Sequence, residues 1–206
     1  MQTFELLIDE KESSTLEVDA VALVTEPATE ILWTAFSKQQ SSLHFAQVNS
    51  DEQVIIGVAM VPDLEIFRRD EDGTEYNVTF SKETIQAIAL KFFKKKFNGN
   101  TNIQHDPLQK KEGVTFFLSM IKDTAKGMLG LAGDYPEGTW FLGAKIDNPE
   151  VWAMVKSGEI KGFSVEGMFK YKKVAMSDEQ LFETHRHFPP HTHRRPRLSR
   201  RISRRT

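Results

Sequence analysis

Residues 160–169 read Ile160-Lys161-Gly162-Phe163-Ser164-Val165-Glu166-Gly167-Met168-Phe169, or IKGFSVEGMF, with one serine between two glycines. Phe163, Val165, Phe169 and Tyr171 point one way and Gly162, Ser164, Glu166 and Met168 the other, as side chains alternate on a strand. The first set predicts a core face. A serine on a strand-to-helix nucleophile elbow needs glycine at both ends of a five-residue window. Here the second glycine falls one residue late, which excludes that arrangement. Ser164 and Glu166 share the second face, beside glycine that leaves room for another backbone to approach. By alternation alone, Ser164 is a polar residue on the exposed face of a strand.

Working outward, Asn148-Pro149-Glu150 supplies an N-cap, a first-turn proline and an acidic first turn. Val151, Trp152 and Val155 give the apolar stripe of a short helix that Ser157-Gly158 ends. Before it, residues 139–146 (TWFLGAKI) read as a strand with Trp140, Leu142, Ala144 and Ile146 on one face, and 114–121 (VTFFLSMI) as another. Residues 102–105 form a short strand that must turn at Asp106-Pro107. Ser81 is a good N-cap for a helix in which Ile85, Ile88, Ala89, Phe92 and Phe93 recur at helical spacing, until Asn98-Gly99 stops it near residue 97. Lys94, Lys95 and Lys96 are then its last turn, where cations suit the helix dipole. Upstream, VIIGVAMV from Val54, LEIFRR, the turn signal Asp70-Glu71-Asp72-Gly73 and EYNVTF read as strands with a hairpin. Residues 4–8 and 18–24 are two more strands, and the polar stretch 37–52 is a mobile loop.

Charge divides the chain. The residues before His185 hold all 29 acids against 19 bases, a net −10, whereas residues 185–206 carry eight arginines and no acid, a net +8. This tail also holds four of the six histidines and has almost nothing to bury, which predicts disorder. It reads either as an arm for nucleic acid or an acidic partner, or as an unstructured extension. Its paired histidines imply no fixed metal geometry. The predicted organisation is one domain over residues 1–176, containing the 37–52 loop, then a linker and His/Arg-rich tail over 177–206. With no cysteine in the sequence, disulfide scaffolds, thiolate metal sites and cysteine nucleophiles are excluded. Any acyl chemistry needs a hydroxyl nucleophile. No apolar run is long enough to span a membrane, and the N-terminus lacks signal-peptide order, so the expectation is a soluble intracellular protein.

For a general base, the body offers His44 in the polar loop and His105 in NIQHDP. Spacing alone does not pair either with Ser164. The ordered series VDAVALVTEPA, VIIGVAMVPDLEIFRRDEDGTEYNVTFSKETIQAIALKFF, NIQHD and GTWFLGAKIDNPEVWAMVKSGEIKGFSVEGMF, over residues 18–172, resembles the XkdF-like serine proteases of tailed bacteriophages. These belong with the prohead, or capsid-maturation, proteases and resemble herpesvirus assemblin. The resemblance implies an α+β fold, a compact antiparallel β-barrel with a few peripheral helices. By position it places the family histidine on His105 and the family serine on Ser164. The third member is open: Glu166 lies in the matching motif, and Asp106, Asp178 and Glu179 are alternatives. The implied activity is a serine endopeptidase that needs no metal or cofactor. The implied partners are scaffold and major capsid proteins as substrates, then the portal and further copies of the chain. No membrane is involved, and nucleic acid enters only through the basic tail. The setting is the cytoplasm of a bacterial host, inside the prohead. Two other readings stand beside it: an assembly protein without turnover, and a nucleic-acid-binding protein acting through its arginines.

Overall fold

The computed structural model describes residues 1–26, 45–49, 52–131 and 134–174. The chain divides into a compact unit, Met1–Val174, and a second unit, Ala175–Thr206, which lies outside the described residues. The first unit contains β1 (Gln2–Leu7), β2 (Val18–Val24), β3 (Phe45–Asn49), β4 (Val54–Met60), β5 (Ile66–Arg69), β6 (Glu75–Thr79), α1 (Lys82–Lys94), β7 (Asn102–Ile103), β8 (Asp106–Lys110), β9 (Val114–Ile121), β10 (Trp140–Ile146), α2 (Pro149–Lys156), β11 (Gly162–Gly167) and β12 (Lys170–Lys173). These strands form three four-stranded sheets, in the orders β12-β1-β6-β5, β3-β4-β10-β9 and β11-β2-β7-β8.

The fold is α+β, but the sheets do not close into a barrel. Closure requires every strand to be hydrogen-bonded on both sides, and each sheet ends in open strands among the described residues. Nor is the pairing wholly antiparallel, because β1 runs parallel to β6 and β2 parallel to β7. What joins the sheets is burial. One apolar cluster takes Leu6 from β1, Leu23 from β2, Ile55 from β4, Phe92 from α1, Trp140 from β10 and Phe163 from β11.

The local signals explain most elements. Ser81 caps α1 by accepting from the Thr84 amide at 3.3 Å. Asn148 caps α2 by accepting from Glu150 and Val151 at 3.0 and 3.1 Å. The β5–β6 hairpin turns at Gly73, whose φ of 87° suits glycine. Trp140, Leu142, Ala144 and Ile146 of β10 all enter the main cluster, as alternation predicts, while Phe141 is buried with Val58 in a second one.

Three expectations about single elements are also corrected. First, α1 ends at Lys94 rather than near residue 97. Lys96 takes a left-handed φ of 61°, while Phe97 N–H donates to Phe92 and Lys96 N–H to Phe93, a Schellman cap without glycine. The Phe92–Phe97 ring contact completes it. Second, part of the supposed 37–52 loop is ordered: residues 45–49 are β3, antiparallel to β4. Residues 37–44 lie outside the described residues. Third, the strand read from residue 160 onward is two strands in different sheets. β11 is bulged between Glu166 and Gly167 and stops at Gly167, and β12 pairs with β1. Phe169 still packs on the core against Phe80, but Tyr171 is exposed.

Candidate active site

β11 lies antiparallel to β2, with Ser164 opposite Ala22 and Glu166 opposite Ala20. Directly opposed residues project from the same face. Two side chains with chemistry therefore stand beside two methyl groups. On the other side of β2, Ile103 of β7 pairs with Leu23 and both enter the core. Asn102, its neighbour, turns to the face that carries Ser164.

The chain passes from β7 to β8 through a two-residue turn, with Ile103 paired to Asp106. Gln104 and His105 are its central residues, so the turn falls there and not at Asp106-Pro107, which open β8; both are left-handed at φ 56° and 61°, as a primed hairpin turn requires. Neither is glycine. This backbone costs an L-residue about 1–2 kcal/mol, so tertiary contacts must hold it. Gln104 N–H donates to Leu23 O at 3.1 Å, and its side chain bonds Thr25 Oγ1. The turn carries the imidazole of His105 back over the alanines of β2.

His105 Nε2 lies 2.9 Å from Ser164 Oγ, and Nδ1 lies 3.1 Å from Glu166 Oε1. The ring thus bridges two residues on one strand face. Asn102 Nδ2 donates to the same Glu166 oxygen at 2.7 Å. His105 is 43 % exposed and Glu166 26 %, so the site is reached from solvent on the imidazole side. Ser164 is only 5 % exposed. That corrects the exposed-face reading: the face is covered by a turn some sixty residues upstream in the chain.

Of the other carboxylates considered, Asp106 accepts from Leu108 N–H at 2.9 Å and Gln109 Nε2 at 3.1 Å, within its own hairpin arm. His44, Asp178 and Glu179 lie outside the described residues. Sequence reading missed Asn102. Its place beside a core-facing isoleucine is the one available signal, and it does not reveal that the amide spans an intervening strand.

The close backbone approach suggested by the glycines occurs at Gly167. A Cβ there would lie 2.0 Å from Glu17 O, and Met168 N–H donates to that carbonyl at 2.9 Å. Glu17 is itself fixed. Its buried carboxylate meets Lys91 at 3.1 Å and Lys95 at 2.5 Å. Burial works against its ionisation, and the hydrogen bonds from Lys95 and Lys91 overcome this, holding its pKa below the ordinary carboxylate value. Lys91 also donates to the carbonyls of Asp9 and Ser14 at 2.7 and 3.0 Å. The loop before β2 is thereby tied to α1 and to the end of β11.

A cavity of about 390 Å³ runs along β11 from Phe163 to Gly167, including Ser164 and Glu166. Leu6, Met60, Ile66, Phe80 and Phe169 give its apolar walls. A hydroxyl, an imidazole and a carboxylate in sequence beside such a cavity have the parts for nucleophilic acyl chemistry.

No curated protein and no solved structure matches the chain. A family model matches residues 43–172, more than half of the chain, and is described as "Putative phage serine protease XkdF".

Proposed function

Because this chain belongs to the phage serine protease family of XkdF, we propose that it is a serine endopeptidase of capsid maturation. It cuts scaffold and major capsid proteins inside the immature head, within the bacterial cytoplasm. The observation that carries this reading is one imidazole held between a hydroxyl at 2.9 Å and a carboxylate at 3.1 Å. With Nδ1–H donated to Glu166, the Nε2 lone pair of His105 faces Ser164.

As Ser164 Oγ attacks a peptide carbonyl, His105 Nε2 takes its proton, and the carbonyl electron pair moves onto oxygen. The imidazolium then gives that proton to the amine as the C–N bond breaks, leaving an ester on Ser164. Water enters by the same proton path and releases the new carboxyl terminus. Glu166 orients the ring and stabilises the imidazolium. Asn102 keeps the Glu166 oxygen in place.

The test is incubation of the purified protein with its scaffold and major capsid proteins, with products identified by mass spectrometry. Wild type should cut, Ser164→Ala and His105→Ala should each lose nearly all cleavage, and the double variant should be scarcely worse, because the two act as a unit. Normal cleavage by folded Ser164→Ala protein would remove Ser164 as nucleophile. Wild type that binds scaffold without cutting it would favour an assembly role.

A further inference from the structure

Arg68 lines the cavity that contains Ser164. It sits on β5 opposite Tyr76, half-buried. Its neighbour Arg69 is exposed and pairs with Glu75 across the hairpin. Arg68 has no such partner: among the described residues its hydrogen bond is the 2.9 Å donation from Nη1 to the adjacent Phe67 carbonyl, and no carboxylate lies in ion-pair reach. A guanidinium offers five donors and stays charged. Burial lowers its pKa, and the nearby Tyr171 and Tyr76 only partly offset this. The other charged group of the cavity, Glu166, turns Oε1 to His105 and Asn102. A partly desolvated cation with free donors, in a cavity whose one carboxylate is already engaged by His105 and Asn102, is complementary to a carboxylate, which it can grip through two parallel hydrogen bonds.

We propose that this cavity is a substrate subsite, in which Arg68 receives the carboxylate of a glutamate or aspartate side chain close to the peptide bond attacked by Ser164. The inference rests on the proteolytic reading above. The apolar walls take the methylenes of the acidic side chain, and Arg68 disfavours lysine or arginine there. Replacing the acid by its amide removes the charge-assisted bonds and should lower kcat/KM by about 10- to 100-fold.

Two experiments decide it. In the first, wild-type protein digests a pool of random synthetic dodecapeptides, and the cut ends are read by mass spectrometry. Acidic residues should be enriched at one fixed position near the cut, less strongly in Arg68→Lys and no longer in Arg68→Met. Cuts without acidic enrichment, or enrichment intact in Arg68→Met, overturn the proposal while leaving the protease standing. The second needs no turnover: the Arg68 side-chain N–H resonance is followed by NMR in Ser164→Ala protein. N-acetyl-glutamate amide should move it, and N-acetyl-glutamine amide should not. No movement overturns the subsite. An equal response to N-acetyl-alanine, which carries its carboxylate at the chain end, overturns the side-chain form of the proposal. A resonance moved by the glutamate amide in a protein that cuts no peptide upholds the subsite and removes the proteolytic reading.

Discussion

Asn102 and His105 meet on a single oxygen of Glu166, so the carboxylate is fixed from two directions before any substrate arrives. Glu166→Gln should lower kcat by about three to four orders of magnitude, as loss of an orienting carboxylate does. Asn102→Ala removes only one of the two donors, and its cleavage rate should fall by about tenfold. Asn102→Asp is more telling. It sets a second carboxyl against Glu166, and such a pair ionises fully only beside a cation, which favours the protonated ring. The acid limb of the kcat/KM profile should therefore move to higher pH, and an unmoved limb in a folded variant would reduce Asn102 to packing. The shared face of Ser164 and Glu166 was legible from alternation alone. The burial of Ser164 was not, since its cover is the turn at His105. Asn102 was hidden for a similar reason: its contact crosses β2, and no period along the chain encodes a lateral reach.

Between β7 and β11 the intervening strand presents alanine at both positions opposite Ser164 and Glu166. Larger residues there would occupy the space taken by the imidazole. Ala22, fully buried, is the stricter position. Ala22→Val should cost roughly 1–3 kcal/mol as overpacking, visible as a melting temperature lower by several degrees. Cleavage should fall far more than that loss explains, because the ring is displaced from Ser164. A variant of wild-type activity would show that the alanines leave no needed space. Other elements divide by whether their signals are local. The caps at Ser81 and Asn148 were legible because each satisfies amides within its own first turn. The end of α1 was misplaced because Lys96 adopts the left-handed cap that Asn98-Gly99 advertised. The break between β11 and β12, and the open sheets, depend on which edges meet in space; β3 in a polar stretch owes its order to β4.

For the molecule as a whole, the ties of the site run through the buried Glu17. Its carboxylate joins Lys91 and Lys95 of the α1 end, and its carbonyl takes the amide that follows Gly167. Its folded pKa lies below the ordinary value, so its contribution to stability is complete above the unfolded carboxylate pKa and is lost as pH falls through the folded one. Glu17→Gln leaves Lys91, 4 % exposed, without its counter-charge. This should cost about 3–5 kcal/mol at neutral pH, with a shallower loss between neutral and acid pH than wild type in denaturant titrations. Equal acid slopes would assign the wild-type loss to other carboxylates. One feature of β11 has a reach of a different kind. Ser164 and Glu166 stand two residues apart on one strand, so sliding that strand by a single residue exchanges its faces and sets Phe163 and Val165 under the imidazole instead. No half-aligned strand keeps part of the apparatus. The meeting of Ser164, His105 and Glu166 thus comes into being only with the last correct alignment of the sheet, and a chain still folding has none of it.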